Sequence, residues 1–169
     1  MPSAVTTRES NTTIRINAMF ELIYDNESFK ADAPEAVVSD VLSYMEEKLH
    51  IDGSFSLSFV NGDTIRDLNR EYREKDEVTD ILTFAQDDGE EFPDFAGEKE
   101  YGDVFINLDR MKENAAEFSS TVREELLRLC IHGMLHLTGH DHATNDFEKE
   151  EMLILQEKLL SQYLSQVNN

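Results

Sequence analysis

The sequence holds one cysteine, three prolines, no tryptophan and few basic residues, and each scarcity removes a class of explanation. A lone Cys130 cannot close an internal disulfide, so nothing staples the chain. The N-terminus is polar and carries Arg8 and Glu9 where a secretory leader would be apolar; with a single thiol, this suits a reducing, cytoplasmic setting. No uncharged apolar run reaches the roughly 18 residues a spanning helix needs, so no membrane partner is expected. Only 15 Lys and Arg stand against 36 Asp and Glu, a formal net charge of −21. Such a surface repels polyanions, so a nucleic-acid partner has to be met by a few cations gathered in one place. What remains is a chain of 169 residues, 40% apolar, which is the size of one domain and enough to close a core. The expected layout is a flexible tail over 1–12 and a single domain over 13–169.

Periodicity supplies the elements. Ile14–Tyr24 reads as a strand, and Val37, Val38, Val41, Leu42, Met45 and Leu49 recur at helical spacing after Pro34. Phe55–Val60 alternates like a half-buried strand. Asn61–Thr64 offers a turn and N-cap for a helix over Ile65–Arg73, and Ile81–Ala85 is a further strand. Gln86–Glu100 is acidic and long for a connection, a candidate lid. Gly102 is expected to turn the chain into a strand at Val104–Asn107, followed by a helix over Leu108–Phe118. A capping box at Thr121-Val-Arg-Glu124 opens a helix over Glu124–Thr138 that is apolar nearly all round, as a central buried helix would be. Gly139 stands where such a helix ends, and Asn145–Val167 reads as the last helix. The expected arrangement is one mixed sheet packed with helices.

Four of the five histidines lie in one stretch, His132-Gly-Met-Leu-His136-Leu-Thr-Gly-His140-Asp-His142. Two histidines four apart on a helix present their rings from one face. Gly139 then lets the chain turn back, so that His142 delivers a third nitrogen to the same point. This spacing, His-x3-His-x5-His with a glycine after the second histidine, repeats the geometry of the metzincin zinc pattern. Zinc takes neutral imidazole and four ligands, so His132, His136 and His142 leave one position open. Cys130 lies about 200° round the helix from His132 and does not close it. Affinity alone does not select zinc over nickel, cobalt or iron. The competing reading is buried histidines that satisfy one another or neighbouring carbonyls; without partners they would cost about 1–3 kcal/mol each, a cost a shared cation removes. His140 is a further candidate ligand, and Asp141 a candidate acceptor that would orient an imidazole. Gly133 occupies the position where a zinc protease carries its glutamate base, which disfavours peptide hydrolysis.

Arg66, Arg70 and Arg73 fall at i, i+4 and i+7, followed by Lys75. They form either a phosphate-guiding edge or a solvated face paired with Asp67, Glu71 and Glu74.

The histidine stretch resembles the H-G-x-L-H-L-x-G-(aromatic or His)-D-H signature of the YbeY family of metal-dependent endoribonucleases. Leu68-Asn-Arg-Glu-Tyr-Arg73 with Thr79-Asp-Ile-Leu-Thr-Phe84, and Gly102-Asp-Val-Phe-Ile106, are similar to two further blocks of that family. The chain departs from it at Val78 and Ala85, where proline is common, and at His140, often tyrosine. The resemblance implies an α+β fold with a four-stranded mixed sheet, zinc on His132, His136 and His142, and a cleft arginine at Arg73 acting on the reacting phosphate. It also implies single-stranded RNA as substrate, ribosomal RNA processing at the 16S 3′ end, a part in ribosome quality control, contact with small ribosomal subunit proteins, and a cytoplasmic location. Two alternatives stand beside it. One is a non-catalytic ribosome-assembly factor whose zinc braces the helix end, which the net charge favours; the other is a metzincin-like hydrolase of another substrate.

Overall fold

The computed structural model describes residues 7–8, 12–14, 20–86 and 99–169. Four strands form the body of a mixed sheet: β3 (Phe20–Tyr24), β4 (Ser54–Val60), β5 (Ile81–Ala85) and β6 (Glu100–Asn107). Two short strands, β1 (Thr7–Arg8) and β2 (Thr12–Ile14), extend it antiparallel beyond β3, giving the order β1-β2-β3-β4-β6-β5. β3, β4 and β6 run parallel, and β5 joins antiparallel at the far edge. The single strand read over Ile14–Tyr24 is therefore two strands paired on each other, with 15–19 outside the described residues. Of the expected tail, Thr7–Arg8 and Thr12 lie in the sheet. Most of the acidic stretch at 86–100 falls outside the described residues.

The helices are α1 (Glu35–Lys48), α2 (Gly62–Arg73), α3 (Leu108–Glu117), α4 (Val122–Leu137) and α5 (Glu151–Val167). Strand alternation decides what faces what. Phe20, Leu22 and Tyr24 of β3 and Phe55, Leu57 and Phe59 of β4 are buried, with Tyr24 stacked on Phe59 at 5.0 Å. Val104 and Ile106 of β6 are fully buried, and Val104 meets α4 at Gly133. Phe105 points the other way, edge-on to Phe84, which in turn meets Tyr72 of α2. α4 thus lies over one face of the sheet and the end of α2 over the other. α4 has Leu126, Leu127, Cys130, Ile131, Met134 and Leu135 fully buried, which makes it the central helix the sequence predicts.

Two local readings change. Gly102 is inside β6 at φ 127°, where the register with β4 shifts, and a Cβ there would collide with the Phe84 carbonyl. It makes a bulge that keeps the strand paired rather than a turn that starts it. α5 begins at Glu151, six residues later than the spacing suggests, because Thr144, Asp146 and Glu150 spend their side chains on loop hydrogen bonds.

Candidate metal centre

α4 starts cleanly: the Thr121 hydroxyl accepts from the Glu124 backbone N–H at 3.0 Å. The Glu124 carboxylate turns to Arg128, so only half of the expected capping box forms. At its other end, Thr138 caps α4 and Gly139, at φ 92°, reverses the chain. That reversal brings the three predicted ligand histidines together. The Nε2 atoms of His132 and His136 are 3.1 Å apart. Ring centroids are 4.7 Å apart for His132–His136, 5.1 Å for His132–His142 and 5.3 Å for His136–His142. One nitrogen from each ring lies within 4.8 Å of the others. Nitrogens at about 2.0–2.1 Å from a tetrahedral ion stand roughly 3.3 Å apart, so the donors fit a divalent transition metal with small adjustment.

Two of the outward nitrogens are also held. His132 Nδ1 donates to Gln156 Oε1 at 2.6 Å, and His142 Nδ1 donates to the Thr144 carbonyl at 2.8 Å. His136 Nδ1 has the Asp141 carboxylate 3.9 Å away. A ring whose Nδ1 carries the proton keeps its Nε2 lone pair for a metal. Burial lowers the His132 pKa, and burial followed by the other two histidines lowers that of His136 to about 4. All of this favours neutral rings, the form a metal needs.

Two expectations around the triad are revised. The His140 side chain is not among the converging donors. The Asp141 carboxylate lies 3.9 Å from His136 Nδ1, too far for a hydrogen bond, and accepts instead from the His142 backbone N–H at 2.8 Å. Position 133 looks into the sheet, since a Cβ on Gly133 would stand 2.7 Å from Val104 Cγ1. The missing glutamate is thus a packing requirement of α4 on β6. Cys130 is fully buried in the core, its thiol pushed up to about 12 by desolvation.

The triad opens into a cleft of about 1270 Å³ that is also lined by Arg73, Asp80, Asn114, Glu125 and Arg128. The basic stripe divides here. Arg66 pairs with Asp76 at 2.8 Å, and Arg70 with Asp67 at 2.7 Å and Asp76 at 3.5 Å, so both belong to a solvated face. Glu74 caps α2 at φ 58° and folds the chain back to bring Asp76 there. Arg73 alone reaches the edge strand β5, donating to the Thr83 carbonyl at 2.8 Å with its guanidinium 5.1 Å from the Phe84 ring centre. Among the described residues, Arg73 and Lys75 form no ion pair. Arg128, in contrast, is neutralised by Glu124, Glu125 and Glu157 at 3.0, 2.7 and 2.9 Å. Burial pushes the Glu125 carboxyl up.

One residue of the cleft has no local sequence signal: Gln156, which comes from α5. Beside the triad, Glu150 Oε1 accepts from the Thr144 N–H at 2.9 Å and from its hydroxyl at 2.8 Å. The Asp80 carboxylate, at the mouth of β5, accepts from Asn114 Nδ2 at 2.8 Å.

Comparison with known proteins is concordant over most of the chain. The model of the family described as Endoribonuclease YbeY matches residues 21–164. An Endoribonuclease YbeY of Treponema denticola is 44% identical over 131 residues, covering 76% of this chain and 81% of its own. One of Bacillus velezensis is 35% identical over 154 residues, covering 88% and 97%. The solution structure of TM1509 from Thermotoga maritima superposes with a TM-score of 0.60 at 28% identity, over 89% of this chain and 92% of that one.

Proposed function

The chain belongs to the YbeY endoribonuclease family, and on that premise we propose that it is a zinc-dependent endoribonuclease that cuts single-stranded RNA during ribosomal RNA processing. The observation that carries the reading is the convergence of His132, His136 and His142 at the mouth of a cleft shared with Arg73. The working unit is the single domain over 13–169. His132, His136 and His142 would hold a divalent ion, which would supply Lewis-acid chemistry there. The chain's own residues do the rest. Arg73 commits one donor to the Thr83 carbonyl, and its remaining guanidinium donors take phosphate oxygens and stabilise charge that develops on them. The edge of β5 and the Phe84 ring hold the guanidinium in place, so the charge is preorganised. Small ribosomal subunit proteins and a cytoplasmic location complete the proposal; among the described residues no helix is long and apolar enough to cross a membrane.

Purified protein is incubated with unstructured RNA, with and without a chelator, beside His136→Ala, and metal content is measured beside His132→Ala. Cleavage should need the metal, and a stoichiometric ion should vanish in the variant. Cleavage that continues unchanged in His136→Ala would sink the enzyme assignment. The net charge of −21 favours one other reading, an assembly factor that binds basic ribosomal proteins and only uses the ion as a brace. A His136→Ala protein that melts normally yet loses cellular function counts against it. Peptide hydrolysis of the metzincin kind is disfavoured, because position 133 packs against Val104 and offers no base to the cleft.

A further inference from the structure

Two of the three outward nitrogens of the triad meet uncharged oxygens. Gln156 Oε1 receives His132, and the Thr144 carbonyl receives His142. A carboxylate is the common alternative in such a place, and it would raise ligand basicity while cancelling part of the ion's charge. In a chain with 36 acidic side chains, its avoidance here needs a reason. The nearby carboxylates are turned to other partners. Asp141 is 3.9 Å from His136 Nδ1 and largely in solvent, Glu150 is spent on Thr144, and Asp80 accepts from Asn114. Gln156 itself is 2% exposed, so its amide acts on His132 in a poorly screened environment.

We propose that Gln156 is a positioning and specificity-determining residue: its neutral amide oxygen fixes the His132 ring for metal while leaving the ion's full positive charge to attract an anionic, phosphate-bearing ligand. This rests on the metal reading above and adds to it. The acidic surface repels polyanions, and the cleft cations Arg110 and Arg128 are neutralised by glutamates. An uncancelled ion is then the dominant local attraction for a phosphodiester, assisted by Arg73. A carboxylate at position 156 would stand behind the same imidazole and repel that ligand across a buried path.

Two near-isosteric variants separate the two halves of the claim. Gln156→Met removes the acceptor and keeps the bulk; Gln156→Glu keeps an acceptor and adds the charge. Zinc affinity is measured by chelator competition, inorganic phosphate affinity of the zinc-loaded proteins by calorimetry, and melting of the metal-free proteins as the control for folding. Gln156→Met should bind zinc about 10–100-fold more weakly. Gln156→Glu should bind zinc at least as tightly as the parent but phosphate roughly tenfold more weakly or worse. Both metal-free variants should keep one cooperative transition, lower than the parent's because each disturbs a buried hydrogen bond. Parent-like zinc affinity in Gln156→Met overturns the positioning role, and parent-like phosphate affinity in Gln156→Glu overturns the charge argument. Equal weakening of zinc by both variants, with matching losses in metal-free melting, reduces Gln156 to a packing residue and overturns both. A parent protein that binds no metal at all defeats the proposed function itself, an outcome distinct from these.

Discussion

Gly133→Ala tests the placement of α4 on the sheet with a single carbon. By helix propensity alone, alanine inside a helix is favoured over glycine by about 1 kcal/mol. In this fold the new Cβ would sit 2.7 and 3.1 Å from the two γ-methyls of Val104 and 3.3 Å from Ile81 Cδ1. Val104 is fully buried and β-branched, so its methyls do not swing aside freely. Overpacking of this kind costs about 1–3 kcal/mol, and contact with two stiff methyls puts it near the upper end. The net expectation is a loss of about 2 kcal/mol, seen as a melting point lower by roughly 4–8 °C for a chain of this size. Val104→Ala alone should cost about 2 kcal/mol through the lost methyls and the cavity. In the double variant the alanine at 133 occupies space the valine vacates, so the combined loss should be clearly smaller than the sum. Thermal unfolding of the four proteins with chelator present measures this cycle. A Gly133→Ala protein more stable than the parent, or strictly additive losses, would refute the packing of position 133 against β6 and with it the explanation of the missing glutamate.

Other perturbations follow from the same geometry. Arg73→Lys keeps the charge but loses the guanidinium fork held by Thr83 and Phe84, so RNA cleavage should fall about 10²–10³-fold while melting barely moves; equal activity would show that charge alone matters there. In the metal-free protein, the His136 pKa is held down to about 4, chiefly by burial, against about 6.5 in the unfolded chain. The unfolded state therefore takes up the proton first, and the contribution of His136 to stability, full above pH 6.5, drains away as pH falls through 4; chelated samples melted across that range should show it. Arg128→Met leaves Glu125, 4% exposed, without its cation and should cost about 3–5 kcal/mol in denaturant unfolding, unless Glu125 escapes by taking up a proton, which a smaller loss at low pH would reveal.

The sequence discloses what is local and hides what is made by packing. The triad is legible because its ligands lie within eleven residues and their spacing is a property of one helix end. α1, β4 and α4 are legible for the same reason, each carrying its own period. Gln156 gives no signal, because only the packing of α5 on α4 brings it to His132. Nor could sequence separate Arg73 from Arg66 and Arg70 without the family resemblance. The difference lies in a left-handed Glu74 that returns Asp76 to two of the three arginines, and in a sheet edge that only the third can reach. Gly102 reads as a turn, since a bulge and a turn ask for the same permissive residue, and only the register with β4 tells them apart.

The two halves of the cleft differ in how far the chain must travel to make them. The ion-holding half closes a very short loop, so little chain entropy opposes its assembly. The arginine half depends on β5, whose place is set by its antiparallel pairing on β6 and, through β6, by the parallel pairing of β3 and β4, a non-local arrangement. Loosening the pairing of β5 on β6 would therefore displace Arg73 and leave the three histidines where one helix end puts them.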